Sequence, residues 1–369
     1  MDLAAWCDEF LPAIYNPGLF DDEETTDEVW GSVSTLIDEF IEASQVEDSE
    51  SFKESLLDTA GDWFRAHRDL EIESLEPIPQ EQIQSILDSP QTTQHSADWY
   101  TQRKNRLTAS EFYQILTGSR ERLLKSKLEA QGDRPAMSPV ALAQPDGEMV
   151  ATSWGHRFEP VVRDIYELET GSTIFDRLGR FTHRDLKWLS ASPDGIVTKG
   201  PSTGRLIEIK APKNRQPGTY VPAEYYVQMQ IQLEVTDLEA VDFIEAQFDQ
   251  VLTYSAVHEV DQVDHIDSDG AWTGQINVYG VLEDPTSWSY VYSKPVKSRA
   301  EIVMPPSDLP LMESSIWTLK AWFPRTVLRN RTWWDTVGRP EAEMFWAEVL
   351  SRREIPVETI EHVGGWLGS

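Results

Sequence analysis

The sequence predicts an α+β protein in which helices precede and follow a mostly antiparallel sheet interrupted by one helix. Three observations predict it. Apolar residues recur at helical intervals near the start of the chain, in Trp30, Val33, Leu36, Ile37, Phe40 and Ile41, and helical segments return after residue 300. Short strand-like runs occupy residues 172–210 and 240–292. The composition, 40% hydrophobic with 14 Trp, 13 Phe and 11 Tyr in 369 residues, supplies a sizeable core and excludes wholesale disorder.

Taken in order, residues 1–70 read as short helices broken near Pro17-Gly18 and at the acidic run 21–28. Residues 71–97 contain Pro77, Pro79 and Pro90 among Gln and Ser, the texture of a linker with one short helix. Thr108-Ala109-Ser110-Glu111 ahead of Phe112, Ile115 and Leu116 is a helix start. Gly and Pro make 131–150 a loop. Residues 154–170 form an amphipathic helix through Phe158, Val161, Val162, Ile165, Tyr166 and Leu168, with Gly171 as its cap. Strands are expected at 172–175, 179–183, 187–191, 195–198 and 206–210, a helix at 224–235, and strands at 240–248, 251–260, 274–282 and 288–292. Helices at 309–323 and 341–352 close the chain. The expected division is an acidic, mainly helical module and linker (1–95), a core (96–300) and a helical extension (301–369).

Lys and Arg number 32 against 63 Asp and Glu, a net charge of −31, which excludes a uniformly basic nucleic-acid coat protein. The charge is uneven: residues 1–100 carry a net −22, whereas 101–130 carry +4. The acidic module reads as a solvated helical surface; the sharper alternative is a decoy for DNA or a docking face for a basic partner. Cys7 is the only cysteine, so no intrachain disulfide, Cys-rich zinc site or four-Cys iron–sulfur cluster can form. No run approaches the roughly 18–20 apolar residues of a membrane span, and the first residues lack a basic start, so a soluble intracellular protein is expected.

The chemistry gathers in four places: Ser192-Pro193-Asp194-Gly195, Ile207-Glu208-Ile209-Lys210, Glu159 on the preceding helix and Gln228 on the following one. Strand side chains alternate faces, so Glu208 and Lys210 share one face and Ile207 and Ile209 the other. Asp194, at the end of the adjacent strand, can meet Glu208. Two carboxylates with no His or Cys suit Mg²⁺, with Mn²⁺ as substitute, and not Zn²⁺. The Ile209 carbonyl can add an oxygen ligand, and Glu159 a further carboxylate for a second ion or its water shell. Such a metal polarises a phosphoryl oxygen and activates water. Lys210 positions that water, or deprotonates it if neighbours lower its pKa. Either motif alone is ordinary, Asp-Gly as a turn and Glu-x-Lys as a solvated strand face; their order and spacing together are not.

Pro193-Asp194 with Glu208-x-Lys210 resembles the PD-(D/E)xK nuclease signature. The longer pattern resembles the YqaJ-type viral recombinase, or lambda-exonuclease-like, family: Trp99, Arg103, Thr108-Ala109-Ser110, Trp154-Gly155-His156-Arg157-Phe158-Glu159, Ser192 to Gly195, Glu208-Ile209-Lys210-Ala211-Pro212, Gln228-Met229-Gln230 and Val235-Thr236. The resemblance covers about residues 97–250. It implies a restriction-endonuclease-like core with a mixed central sheet flanked by helices, and magnesium-dependent digestion of one strand of linear duplex DNA, 5′ to 3′. It implies that Arg103, Ser110 and Ser192 hold a terminal 5′-phosphate, which suits an Arg fork and two hydroxyl donors. Arg106, one helical turn from Arg103, is a second phosphate candidate. Gln228 is assigned to the attacking water or the scissile phosphate, with Gln230 and Gln232 as weaker candidates. The implied partners are DNA ends and a single-strand annealing protein, in viral recombination or repair within a host cytoplasm or nucleus, with a trimer as the oligomer of the phage relative.

Two features lie outside the resemblance: the acidic module, and a tail in which Trp317, Trp322, Trp333 and Trp334 interleave with Arg325, Arg329 and Arg331. That tail either stacks on single-stranded product or packs as a core helix on the sheet. Two other functions remain open at this point. One is an alkaline endo/exonuclease or nickase on the same core; the other is a non-catalytic DNA mimic or binding protein.

Overall fold

The structure is a computed structural model of the 369-residue chain, described here for residues 3–44, 49–94, 96–103, 105–129, 151–257, 259–260, 270–282 and 284–354. The loop expected at 131–150 lies outside the described residues.

The chain opens with α1 (Leu3–Phe10), α2 (Glu23–Ser44), α3 (Ser49–Glu73) and α4 (Gln80–Asp88). Of the helices that begin within residues 1–70, α1 is short as expected, whereas α2 and α3 are long, with 22 and 25 residues. The acidic run starts α2 and does not break the chain: the Asp22 carboxylate accepts the Thr25 N–H at 2.8 Å, and Glu23 and Glu24 occupy the first turn, where the helix dipole favours them. Trp6, Leu11, Val33, Ile37 and Phe64 form the core of this module.

Next come α5 (Ala97–Arg103), β1 (Leu107–Thr108), α6 (Ala109–Phe112), α7 (Arg120–Leu128) and α8 (Ala151–Thr170). The expected helix start is a capping box, with Glu111 accepting from the Thr108 N–H. Gly171 ends α8 at φ +66°, where a side chain would be strained. Then follow β2 (Thr173–Phe175), β3 (Phe181–Thr182), β4 (Leu189–Ala191), β5 (Gly195–Lys199), β6 (Leu206–Lys210), α9 (Ala223–Thr236), β7 (Ala240–Ser255), β8 (Thr273–Val281) and β9 (Asp284–Tyr292). The two strands expected over 240–260 are one continuous strand, β7.

The expected helix at 309–323 is instead β10 (Leu311–Leu328), an 18-residue strand. It lies inside the main sheet, whose order is β2-β5-β6-β7-β10-β8-β9. The C-terminal segment therefore contributes a central strand before it turns helical in α10 (Arg331–Trp333), a π-helical turn (Trp334–Gly338) and α11 (Arg339–Glu354). Pro324 is tolerated because β8 pairs with β10 only as far as Thr318, so beyond that point β10 has a strand neighbour, β7, on one side only.

The sheet is mixed. Only β6 and β7 run parallel, joined through α9; the other neighbours are antiparallel. Helix α8 covers one face, where Phe158, Val162 and Ile165 meet Val197, Ile207 and Phe248. Helix α9 covers the other, where Met229, Ile231 and Leu233 join Leu206, Phe243 and Phe345. The α+β expectation, a mixed central sheet flanked by helices with helical segments at both ends, holds.

A second sheet of three short strands, in the order β1-β4-β3, sits beside the first. β1 runs parallel to β4 with Thr108 opposite Ser190, and β3 is antiparallel with Phe181 opposite Ala191. The C-terminal ends of β1 and β4 and the N-terminal start of β3 therefore lie on one side of this sheet.

Several of the tail's aromatic and arginine residues pack or pair within the fold. Trp317 is buried against Phe248, and a Cβ on Gly274 would lie 2.5 Å from its ring. Arg329 donates to Glu234 and Asp237, and Arg331 makes a two-bond contact with Glu239. Trp317 packs in the core as the packing alternative expects, on a strand in place of the expected helix.

Candidate active site

The Asp-Gly turn delivers the first carboxylate. The Asp194 N–H donates to the Ile207 carbonyl, and its side chain accepts the Ile209 N–H at 2.7 Å, so Asp194 is fixed against β6. Gly195 is required here, because a Cβ would lie 2.6 Å from the Ile174 side chain and 3.1 Å from the Phe175 carbonyl.

Strand alternation does the rest. Ile207 and Ile209 turn to the α8 face. Glu208, 1% exposed, turns to α9. There the Gln228 amide donates to one carboxylate oxygen at 2.7 Å, the Gln232 amide to the other at 2.6 Å, and Lys210 to the first at 2.5 Å. Gln232 is the residue that sequence reasoning underweighted. It lies one helical turn beyond Gln228, so the i, i+4 spacing was the available signal. Gln230 faces elsewhere: it donates to the Leu328 carbonyl and accepts the Asn330 N–H, securing the end of β10.

Glu159, Asp194, Ile209 and Lys210 line one open cleft of about 750 Å³, with His156, Lys213 and Arg215 around them. Burial pushes the Asp194 carboxyl well above the ordinary carboxylate range, and the nearby Glu208 and Glu159 charges push it further. Burial works against the Lys210 ammonium, but Glu208 and Asp194 outweigh it and hold the group above its ordinary value. Its ammonium lies 4.6 Å from the Tyr225 ring centre. The carboxylates of Glu159, Asp194 and Glu208 and the Ile209 carbonyl are hard oxygen donors, a set that fits a divalent cation. Among the described residues no three His, Cys, Asp or Glu side chains close into a ready metal cage. Both Glu208 oxygens are taken by Gln228, Gln232 and Lys210.

A second, smaller cavity of about 100 Å³ adjoins this site. The ends of the three-stranded sheet build it. Ser110 follows β1, Ser192 follows β4, and Arg180 precedes β3; Arg103 reaches in from α5. Gln228 lines it too, so one side chain touches both the cavity and Glu208. Ser192 and Asp194 are two residues apart, which limits their Cα separation to about 7 Å. Arg103 is held by Glu111 at 3.0 Å, and Glu111 in turn by the buried Lys127 at 2.8 Å. Arg106 stands apart: it is not among the residues lining the cavity, and its guanidinium donates to the Thr182 hydroxyl and the Lys187 carbonyl.

The acidic helices dock on this core. Arg68 binds the buried Asp21 carboxylate at 2.6 Å and donates to the Thr326 carbonyl of β10. Arg325 lies 3.7 Å from Asp21, and the Val221 N–H donates to the Asp21 carbonyl.

A Pro-Asp at the start of one strand and Glu-x-Lys on its antiparallel neighbour is the arrangement of the PD-(D/E)xK motif. Residues 98–239, somewhat over a third of the chain, match the model of the YqaJ-like viral recombinase domain. The chain is 26% identical over 182 residues to an uncharacterized protein, R354, of Acanthamoeba polyphaga mimivirus, a match spanning 44% of this chain and 30% of that protein. Among solved structures it is similar to an alkaline exonuclease, LHK-Exo, from Laribacter hongkongensis, with a TM-score of 0.40 and 18% identity over 74% of this chain and all of that one. The same enzyme in complex with dAMP gives a TM-score of 0.39 at 17% identity, with the same coverage.

Proposed function

We propose that the protein is a metal-dependent exonuclease that hydrolyses one strand of linear duplex DNA from a 5′-phosphorylated end, in viral recombination or repair. The observation that carries this reading is the junction of two sites. Gln228 lines the cavity of arginine and serine and donates to Glu208, which is bonded to Lys210 of the carboxylate cleft, and Ser192-Pro193-Asp194 runs from the cavity to the cleft. A terminal phosphate seated by Arg103, Ser110 and Ser192 fixes the register of the strand, so that a phosphodiester bond beside it lies over Asp194 and Glu208. An enzyme that only cut internally would have no use for such a cavity.

Asp194, Glu208, Glu159 and the Ile209 carbonyl are the residues that would hold Mg²⁺. The ion's contribution is to polarise the phosphoryl oxygen and acidify a water. The chain's own part is orientation. Gln228 and Gln232 fix the Glu208 carboxylate, and Lys210 places a positive charge beside the reacting phosphate. Local Arg and Lys hold the DNA end despite the net negative charge, because affinity follows where the basic groups lie.

The test is digestion with Mg²⁺ of 5′-phosphorylated, 5′-hydroxyl and covalently closed duplexes. Progressive loss of one strand, fastest from the 5′-phosphate, is the expected result. Cutting of the closed circle moves the assignment to an endonuclease. No cleavage with Mg²⁺ or Mn²⁺ leaves a binding protein.

A further inference from the structure

Arg180 is 2% exposed and lines the small cavity. Its Nη1 donates to the Trp99 carbonyl at 2.7 Å, and its guanidinium stacks 4.4 Å from the Trp99 ring centre. Its Nε and Nη2 are buried and have no hydrogen-bond partner. Buried guanidinium donors left unmatched are costly, and native structures seldom carry them without a ligand, water or ion to accept. Glu111, whose charge partly offsets Arg180, is already engaged by Arg103 and Lys127. Burial, with Arg103 and Arg106 nearby, lowers the Arg180 pKa to about 10, which leaves it a cation at neutral pH.

We propose that Arg180 is a phosphate-binding residue whose free Nε and Nη2 grip the terminal 5′-phosphate, and that it distinguishes a phosphorylated end from a hydroxyl end. The proposal rests on the exonuclease reading of the adjoining cleft. Nε and one Nη of a guanidinium form a fork that matches two oxygens of one phosphate. A phosphate monoester carries close to two negative charges at neutral pH. Arg103 and Arg180 supply two positive ones from two walls of one cavity. The cavity is about 100 Å³, the volume of some three waters, which suits a tetrahedral oxyanion better than a nucleoside. A purely structural clamp between β3 and Trp99 would need Nη1 alone and gives the other two donors no role.

The test compares initial rates on 5′-phosphorylated and 5′-hydroxyl duplexes for the wild type, Arg180→Lys and Arg180→Met. Melting temperatures report folding. The expected result is that Arg180→Met loses about 10- to 100-fold on the phosphorylated end and far less on the hydroxyl end, so the preference collapses towards one. Arg180→Lys keeps the charge without the fork and falls between. An equal loss on both ends, or an unchanged preference, overturns the proposal in favour of the clamp. If Arg180→Met does not fold, a 5′-phosphorylated dinucleotide and its 5′-hydroxyl counterpart are titrated against the wild type and Arg180→Lys by thermal shift. A phosphate-dependent shift weakened in Arg180→Lys upholds the proposal, and an equal one overturns it. A wild type with no end preference removes the whole phosphate cavity reading, an outcome distinct from loss of Arg180's role alone.

Discussion

At the scale of single residues, the candidate site is organised by what holds Glu208. A buried carboxylate is tolerated only when its oxygens are matched. Here two amides from successive turns of α9 and one ammonium match them. Gln232 touches no solvent and lies behind the carboxylate, so its role is to orient Glu208. Gln232→Ala is expected to lower cleavage by about 10- to 100-fold, the usual effect of removing a partner that orients a metal ligand. Its Mg²⁺ requirement should rise in parallel, which a metal titration of the rate measures; a loss of stability with an unchanged requirement would make Gln232 a packing residue only. Asp194, Glu208, Lys210, Arg103, Ser110 and Ser192 were legible in the sequence because short motifs carry them. Arg180 was not. It sits in no motif and reaches the cavity only because β3 pairs antiparallel with β4.

At the scale of elements, most of the sheet was legible from alternation and turns, and β10 was not. Met312, Ile316, Leu319 and Phe323 fall at intervals of four, three and four, the period of a helix, and Pro324 reads as its end. Pairing along β7 on one side and β8 on the other overrides that period. The same strand anchors the acidic helices, through Arg68 on the Thr326 carbonyl and the Asp21 pair. Burial outweighs Arg68 and Arg325 at Asp21 and raises its pKa to about 6. The unfolded value is near 3.9, so between about pH 4 and pH 6 the folded chain holds the proton more tightly than the unfolded one. This group's contribution to stability is therefore greatest below pH 4, falls as pH rises to about 6 and is level above. Asp21→Asn removes that slope. The unfolding free energy from urea titrations should shift in the variant's favour, relative to wild type, by about 1–3 kcal/mol across the window. A constant difference from pH 4 to pH 6 would mean that Asp21 stays ionised throughout.

At the scale of the whole molecule, the proposed function raises the question of how a chain of net charge −31 would approach DNA. The exposed Glu23, Glu24, Asp27 and Glu28 at the start of α2 face the segment Gly218–Pro222 ahead of α9, a few residues along the chain from the lysine and arginine side of the carboxylate cleft. Local attraction to the guanidiniums and overall repulsion from this acidic surface act together, and salt screens both. Attraction alone makes affinity fall steeply with salt; added repulsion flattens the slope, because screening relieves it. Changing Asp27→Asn and Glu28→Gln together leaves the first turn of α2 and its cap intact while removing two charges. The variant should bind a 5′-phosphorylated duplex about twofold or more tighter near 50 mM salt and no tighter near 0.5 M, where the Debye length is only about 4 Å. Fluorescence anisotropy across that range, in EDTA to prevent cleavage, measures the slope directly. A steeper slope for the variant assigns the acidic helices a part in tuning DNA affinity. Parallel slopes would return them to the role of a solvated surface, and the approach of DNA would then be governed by the core alone.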